Sequence, residues 1–326
     1  FRKACPRLAP RPVSSKSKGI ALTGASGYVG HFVRDQLLAQ GERVRALTRS
    51  APATAGPLPA PQWLVGNLAL QNGRQALCDA LLEGQRALVH CAFSHEPGRY
   101  RGGEGADPEQ FWAANLLPTI ALLEAAQRQG LDRVVLMSSR AVMDGYAEQA
   151  IEIGDDQPPR PTTHYGALKA AEEALADHYS RKGSLCVCCL RLTGVYGVAE
   201  PVERSKWLDL IAGALAGAPA ATRSGSEVHW QDVASAVALL LEQPEQKVQG
   251  RTFNCSDMVI SHTQILQEAQ RHTSRILPVP DESLPPNVLL SCPGLAALGW
   301  QPGGRKLFEQ TVQALVALAQ ANTPET

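Results

Sequence analysis

Thr23-Gly24-Ala25-Ser26-Gly27-Tyr28-Val29-Gly30 follows the short apolar run Ile20-Ala21-Leu22 and opens an amphipathic segment that reaches Gln40. Three glycines at a strand-to-helix junction read as an anion-binding turn. Gly24 supplies the positive φ of a tight turn, Gly27 lets the backbone approach a pyrophosphate, and Gly30 lets the helix lie close to its strand. Backbone N–H groups at the helix start then face the anion. Val29, Phe32, Val33 and Leu37 recur at helical spacing, Gly41 supplies a stop, and Arg43 to Thr48 reads as a second strand. The turn is therefore the first corner of a βαβ unit.

The alternation continues outward from that corner. A Pro- and Ala-rich loop (51–61) precedes a strand at 62–65, which ends at Gly66-Asn67-Leu68. A helix at 75–82, a strand at 87–92 and a glycine-rich loop at 96–107 follow. The next helix spans 109–129, interrupted at Pro118 and closed by Gly130, and a strand at 133–137 ends in Ser138-Ser139. Beyond Pro158-Pro159-Arg160-Pro161 come a helix at 164–179 and a strand at 184–192. This order predicts an α/β, Rossmann-type doubly wound parallel sheet with its ligand site beyond the C-terminal strand ends. The pattern then loosens into helical segments at 207–216, 232–241, 263–271 and 306–321 and short strands at 227–230 and 252–254, with capping-box spacing at Ser261 and Gln264. The expected organisation is a basic tail (1–18) and a dinucleotide-binding domain (19–192, with 228–255 returning to it). A smaller, discontinuous C-terminal lobe (193–227 and 256–326) takes the substrate.

Charge and composition narrow the partners. Lys+Arg and Asp+Glu are both 31, so no basic excess points to nucleic acid or an anionic membrane, and a small molecule is the expected ligand. No apolar run approaches the ~20 residues of a membrane span. The eight cysteines, three of them in Cys186-Val187-Cys188-Cys189, fit buried free thiols in a reducing, cytoplasmic compartment better than a disulfide framework. His31, His90, His95 and His164 form no metal-ligand spacing with Cys or carboxylate, and no metal is expected.

Tyr165 and Lys169 stand four apart in a helical context, so their side chains share one face. A tyrosine holds its proton to pH ~10 unless a neighbouring ammonium favours the phenolate, which suits it to proton exchange with an alcohol during hydride transfer. Ser139, at a strand end, is placed to donate a hydrogen bond to an oxygen that gains charge.

With these residues in this order, the chain resembles the extended short-chain dehydrogenase/reductases, the NAD-dependent epimerase/dehydratase group, from about Gly19 to about Gly304. The matching motifs are Thr23 to Gly30, Val89-His90-Cys91-Ala92, Asn115, Ser138-Ser139, Tyr165-Gly166-Ala167-Leu168-Lys169, Leu190-Arg191 with Val195-Tyr196-Gly197, Val228 to Asp232, and Leu298 to Pro302. The resemblance implies that Ser139, Tyr165 and Lys169 are catalytic with Asn115 in support. It implies cofactor contacts from Gly24, Ser26, Gly27, Tyr28, Val29, Gly30, Arg49, Asn67, Leu68, Cys91 and Ala92, besides Tyr165 and Lys169. A homodimer through the helices that begin near Glu109 and Tyr165 is implied too.

Several positions depart from the family. Thr48-Arg49-Ser50 stands where NAD-binding members carry an acid against the ribose hydroxyl, and Arg49 is suited to a 2′-phosphate, so NADP is preferred over NAD. Gly194 replaces an Asn before Val195-Tyr196-Gly197, and Ser224-Gly225-Ser226-Glu227 replaces an Arg before Val228, which puts diphosphate binding in doubt. Ser139-Arg140-Ala141 lacks the Thr-Asp-Glu acid of dehydratases, so dehydration is disfavoured. The expected activity is an NAD(P)-dependent oxidoreductase or epimerase acting at a secondary alcohol or ketone carbon of a small sugar-like or other carbonyl substrate. The alternative is a non-catalytic NADP-binding sensor on the same fold.

Overall fold

The computed structural model describes residues 18–50, 60–96, 103–147, 151–181, 183, 185–282, 286 and 288–321. The expected basic tail apart from Lys18, most of the Pro-rich loop at 51–61, the centre of the glycine-rich loop at 96–107 and the expected strand start at Ser184 lie outside the described residues.

Strand β1 (Gly19–Thr23) is buried along its whole length, because both faces of its sheet are covered. After helix α1 (Tyr28–Ala39), strands β2 (Val44–Thr48) and β3 (Gln62–Val65) extend the sheet to one side. Helix α2 (Arg74–Leu82) leads to β4 (Gln85–His90), which pairs with the other edge of β1, so the chain reverses direction across the sheet at the β1/β4 crevice. Helix α3 (Pro108–Gln129) and strand β5 (Arg133–Ser139) follow. A short strand β6 (Ile151–Ile153) and helix α4 (His164–Arg181) precede β7 (Val187–Leu192). The seven-stranded sheet is parallel throughout and runs β3-β2-β1-β4-β5-β7-β10, with β10 at Thr252–Cys255.

Alternate residues of each strand feed opposite faces. Ile20, Leu22, Val89 and Val135 pack with Val33 and Leu37 of α1 and with Val237 and Leu240 of the later helix α6 (Trp230–Glu242). Ala21, Leu88, Val134 and Leu136 pack with Leu81, Leu122, Leu123 and Tyr179 of α2, α3 and α4. Each fully buried Leu or Val adds about 1.5–3 kcal/mol. Cys186, Cys188 and Cys189 are buried free thiols within these two layers.

The second half adds β8 (Gly194–Tyr196), α5 (Leu208–Leu215), β9 (Ser224–His229), α6 (Trp230–Glu242), α7 (Glu245–Val248), β11 (Met258–Ser261), α8 (His262–Gln270), β12 (Val288–Leu290), α9 (Pro293–Ala297) and α10 (Gly304–Ala321). A three-stranded sheet β11-β9-β8 and a pair β12-β6 lie outside the main sheet. A separate apolar cluster joins Tyr196, Ile211, Ile265, Phe308 and Val312. The capping box forms as its spacing predicts: Ser261 Oγ accepts from Gln264 N at 3.1 Å and Gln264 Oε1 accepts from Ser261 N at 2.8 Å.

Two sequence expectations change. Pro118 does not interrupt α3, which runs unbroken through it. Proline removes one main-chain bond, but Leu122, Leu123 and Ala126 anchor the helix on the sheet, and Thr119 Oγ1 lies 3.0 Å from Asn115 O. The fourth strand ends at His90, so Cys91 and Ala92 stand in the loop beyond it.

Asp232, in the first turn of α6, ties that helix to the residues just before α10. Its Oδ1 accepts from Gly303 N at 2.9 Å, while Oδ2 has no partner among the described residues. Burial pushes this carboxyl up to about 6; the Gly303 bond opposes the rise and Asp257 adds to it. A raised folded-state value means the acid form is favoured in the folded chain. That contribution is complete below the ordinary carboxylate value and is lost as pH rises through about 6. Asp232→Asn keeps the acceptor for Gly303 and removes the charge. It is expected to be more stable than wild type by about 2–3 kcal/mol at pH 8 and no more stable at pH 4, read from urea melts at the two pH values.

Candidate active site

The glycine turn lies at the C-terminal end of β1. Gly24 has φ +68°, and a Cβ there would sit 2.6 Å from Ala92 N, so turn and β4 loop are in backbone contact. Gly27 N donates to Gly24 O at 2.8 Å and closes the turn. A Cβ on Gly30 would overlap Gly24 O and stand 3.2 Å from Ala25 Cα. The third glycine therefore admits the turn against the helix, where the sequence reading placed the strand. Gly27 is the N-cap of α1 and offers no side chain to its first N–H groups, and His31, read as structural, bonds Gly27 O through Nδ1 at 3.0 Å.

From the other side, Arg204 Nη1 donates to Ser26 O at 3.2 Å, bringing a guanidinium to the rim of the turn. Sequence reasoning missed it, because Arg204 belongs to a three-residue 3-10 segment 178 residues from Ser26. Arg49 is exposed just past β2, and the sequence holds no Asp or Glu between Glu42 and Asp79. Asn67 is exposed and its Oδ1 accepts from Ala69 N at 3.0 Å, whereas Leu68 is buried.

Ser139 closes β5, buried, with its Oγ accepting from Ala141 N at 3.2 Å. Helix α4 starts alongside. Thr163 Oγ1 accepts from Gly166 N at 3.1 Å, and Gly166 lies so close to Ala141 that a Cβ would fall 2.5 Å from Ala141 O. Tyr165 thus leaves the helix next to the turn that follows Ser139. It is half-buried, with its ring centroid 5.0 Å from that of Phe93. Lys169, one turn on, is 4% exposed; its Nζ lies 5.1 Å from the Phe93 ring and donates to Glu172 Oε2 at 2.8 Å. Burial alone would lower the Lys169 pKa. Glu172, with a smaller contribution from Tyr165, more than offsets this, and the net direction is upward.

Asn115 of α3 is buried and uses both ends of its amide. Oδ1 accepts from Ser94 N at 2.7 Å, while Nδ2 donates to Ser94 O at 2.9 Å and Phe111 O at 2.8 Å. It holds the β4 loop that presents Phe93 to Tyr165 and Lys169. Phe93 and Glu172 were not singled out from sequence. The available signals were the helical i,i+3 spacing of Glu172 from Lys169 and the position of Phe93 directly after the fourth-strand motif.

Two family departures meet in one place. Glu227, buried on β9, is ion-paired with Lys206, and a Cβ at Gly194 is closed off by both side chains. A side chain at 194 would require the ends of this pair to move. The pair borders a cavity of about 230 Å³ lined also by Trp207, Arg223 and His262. Burial raises the Glu227 carboxyl against the lowering influence of Lys206, Arg223 and Arg140. Among the described residues no three His, Cys, Asp or Glu side chains gather to hold a metal ion, and no helix is long and apolar enough to cross a membrane.

A parallel sheet that reverses at β1/β4, with a three-glycine turn in the crevice, defines a dinucleotide-binding fold. The profile of the NAD dependent epimerase/dehydratase family matches residues 20–256, and the chain belongs to that family. A UDP-glucose 4-epimerase from Corynebacterium glutamicum is 26% identical over 311 residues, covering 87% of this chain and 90% of that protein. A dTDP-6-deoxy-L-talose 4-dehydrogenase (NAD(P)(+)) from Kitasatospora kifunensis is 30% identical over 184 residues, 56% of this chain and 54% of that one, so the match spans about half of that relative. The UDP-glucuronic acid 4-epimerase from Bacillus cereus, solved with UDP-glucuronic acid and NAD, superposes with a TM-score of 0.73 at 20% identity, over 94% of this chain and 100% of that one. That last likeness is one of fold.

Proposed function

We propose that the protein is a nicotinamide-dependent oxidoreductase or epimerase that moves hydride to and from a secondary alcohol or ketone carbon of a small sugar-like or other carbonyl substrate. The observation that carries this is the start of α4, where Tyr165 and Lys169 sit one turn apart and Gly166 is locked against Ala141 behind Ser139. In this reading Gly24, Ser26, Gly27, Tyr28, Val29 and Gly30 hold the pyrophosphate, and Asn67, Leu68, Cys91 and Ala92 line the rest of the cofactor path. The cofactor supplies or accepts the hydride. Tyr165 exchanges the proton of the substrate oxygen, Lys169 supplies positive charge beside it, and Ser139 donates to that oxygen. Asn115 supports the site through the Phe93 loop. A homodimer through α3 and α4 belongs to the same proposal; Leu117 on α3 is 48% exposed where a partner helix would cover it.

Purified protein incubated with NADPH or NADH and a panel of carbonyl compounds and sugar nucleotides tests the reading. Steady loss of absorbance marks net reduction, and isomerisation without it marks epimerisation. Failure to bind either cofactor would reject the proposal.

Arg49 and the acid-free stretch around it favour NADP, while the NAD in the Bacillus cereus structure counts the other way. An exposed guanidinium paired with a 2′-phosphate contributes about 1.4–2 kcal/mol, so Arg49→Ala is expected to weaken NADPH by about 10–30-fold. NADH affinity should stay within about twofold, since NADH lacks the phosphate that Arg49 would meet. Equal affinity of wild type for the two cofactors would remove the preference.

A further inference from the structure

Lys169 belongs to a buried polar chain that runs across four elements, α4, α3, β4 and β1. Glu172, 2% exposed, receives Lys169 Nζ on Oε2 at 2.8 Å and lies 3.1 Å from Thr119 Oγ1 through Oε1. Thr119 Oγ1 is 3.1 Å from His90 Nε2, His90 Nδ1 is 2.6 Å from Thr23 Oγ1, and Thr23 Oγ1 accepts from Ala92 N at 3.1 Å. Thr23 and Thr119 are fully buried and His90 is 4% exposed.

The chain has one consistent direction. Thr119 has a single hydroxyl hydrogen and two nearby acceptors, Glu172 Oε1 and Asn115 O. Given to either, it leaves the hydroxyl oxygen to accept from His90 Nε2–H. The bare Nδ1 then accepts from Thr23 Oγ1–H, whose oxygen takes Ala92 N–H. Burial, with Lys169 adding to it, lowers His90 to about 3, so this imidazole is neutral and the tautomer fixed.

We propose that Glu172 is a positioning residue: it holds the Lys169 ammonium beside Tyr165, sets how much positive charge the phenol meets, and couples that ammonium through Thr119 and His90 to the strand carrying the glycine turn. The proposal rests on the reading of Lys169 as the partner of Tyr165 and of the cofactor. The titratable groups facing Lys169 are Tyr165 and Glu172 on its own helix, His90 at the end of β4, Cys91 in the loop just beyond it, and Cys189 on β7. Burial keeps both thiols protonated, Cys91 at about 12 and Cys189 well above its ordinary value. Glu173, the neighbouring carboxylate, is taken by Arg191. Glu172 is therefore the counter-charge that matters.

Glu172→Gln preserves shape and removes that charge. Lys169 then loses the group that offsets its burial and gives up its proton at lower pH, and while protonated it acts on Tyr165 uncompensated. Both effects move the working range toward acid. NADPH binding, followed by fluorescence from pH 6 to 10, is expected to be within about twofold of wild type at pH 6.5 and about tenfold weaker at pH 9, with both limbs of the turnover profile about one unit lower. Glu172→Asp should recover part of the shift. Thr119→Val leaves the charge of Glu172 in place and removes only the hydroxyl between Glu172 and His90, so its pH limbs should not move toward acid, and Glu172→Asp decides the matter if the Gln variant does not fold. Superimposable pH curves for wild type and the Glu172 variants, or an acid shift in Thr119→Val as large as in Glu172→Gln, would overturn the proposal while leaving the enzyme reading intact. Absence of cofactor binding by wild type would overturn both.

Discussion

Tyr165→Phe is expected to cut turnover by about 10²–10⁴-fold with cofactor affinity within about threefold of wild type. The variant is a clean test because the phenol oxygen carries little of the fold. The ring is held by Phe93, and no described residue hydrogen-bonds to the Tyr165 hydroxyl. Removing that oxygen deletes one proton site and leaves the ring packing, so melting temperature should stay close to wild type. A Lys169 substitution is less informative. Glu172 and Lys169 compensate each other in a buried setting, and deleting either leaves a lone charge whose penalty mixes stability with chemistry. Full turnover in Tyr165→Phe, measured on the substrate found in the carbonyl panel, would remove Tyr165 from the mechanism.

The main sheet was legible because its signals are local. Glycines at a strand end, helical spacing over α1 and apolar runs in β1, β4, β5 and β7 each sit within a dozen residues of one another, and both covered faces make those runs nearly continuous. The three-residue strands β6, β8 and β12 had no such signal. β12 pairs with β6 from well over 100 residues away, and that pairing exists only after the second half of the chain has folded back. Pro118 misled for the opposite reason: a strong local rule lost to the packing of Leu122 and Leu123 in the core beneath the helix.

The candidate site divides along the same line. Tyr165 and Lys169 are one turn apart, and that spacing is visible in the sequence. Phe93, Glu172 and Arg204 gain meaning only from tertiary neighbours: a ring across the site, a threonine on α3, a carbonyl in the glycine turn. Gly194 and Glu227 illustrate the limit most clearly. Read separately they were two unrelated departures; in the structure the absent side chain at one is the space used by the ion pair at the other.

Glu173→Ala is expected to destabilise the chain by about 3–5 kcal/mol, the usual consequence of stranding a buried charge. Arg191 on β7 is 3% exposed and meets Glu173 as a fork, with Nε to Oε1 and Nη2 to Oε2 both at 2.8 Å. Its Nη1 donates to Asp155 O at 3.1 Å, and Ser138 Oγ donates to Glu173 Oε1 at 2.6 Å. The pair therefore fastens α4 to β7 and to the last residues of β5, one residue from Ser139. Loss of Glu173 leaves the guanidinium without its anion in a site water does not reach, and frees the helix that carries Tyr165 and Lys169 from the strand end that carries Ser139. Urea unfolding should report the stability loss. Glu173→Gln, which keeps the bonds to Ser138 and part of the fork, should lose less, and replacing both partners by Met should recover much of the stability without restoring turnover. That last combination separates the two roles of the latch, since apolar packing can hold helix to sheet while only the fork and the Ser138 bond set the register of Tyr165 against Ser139.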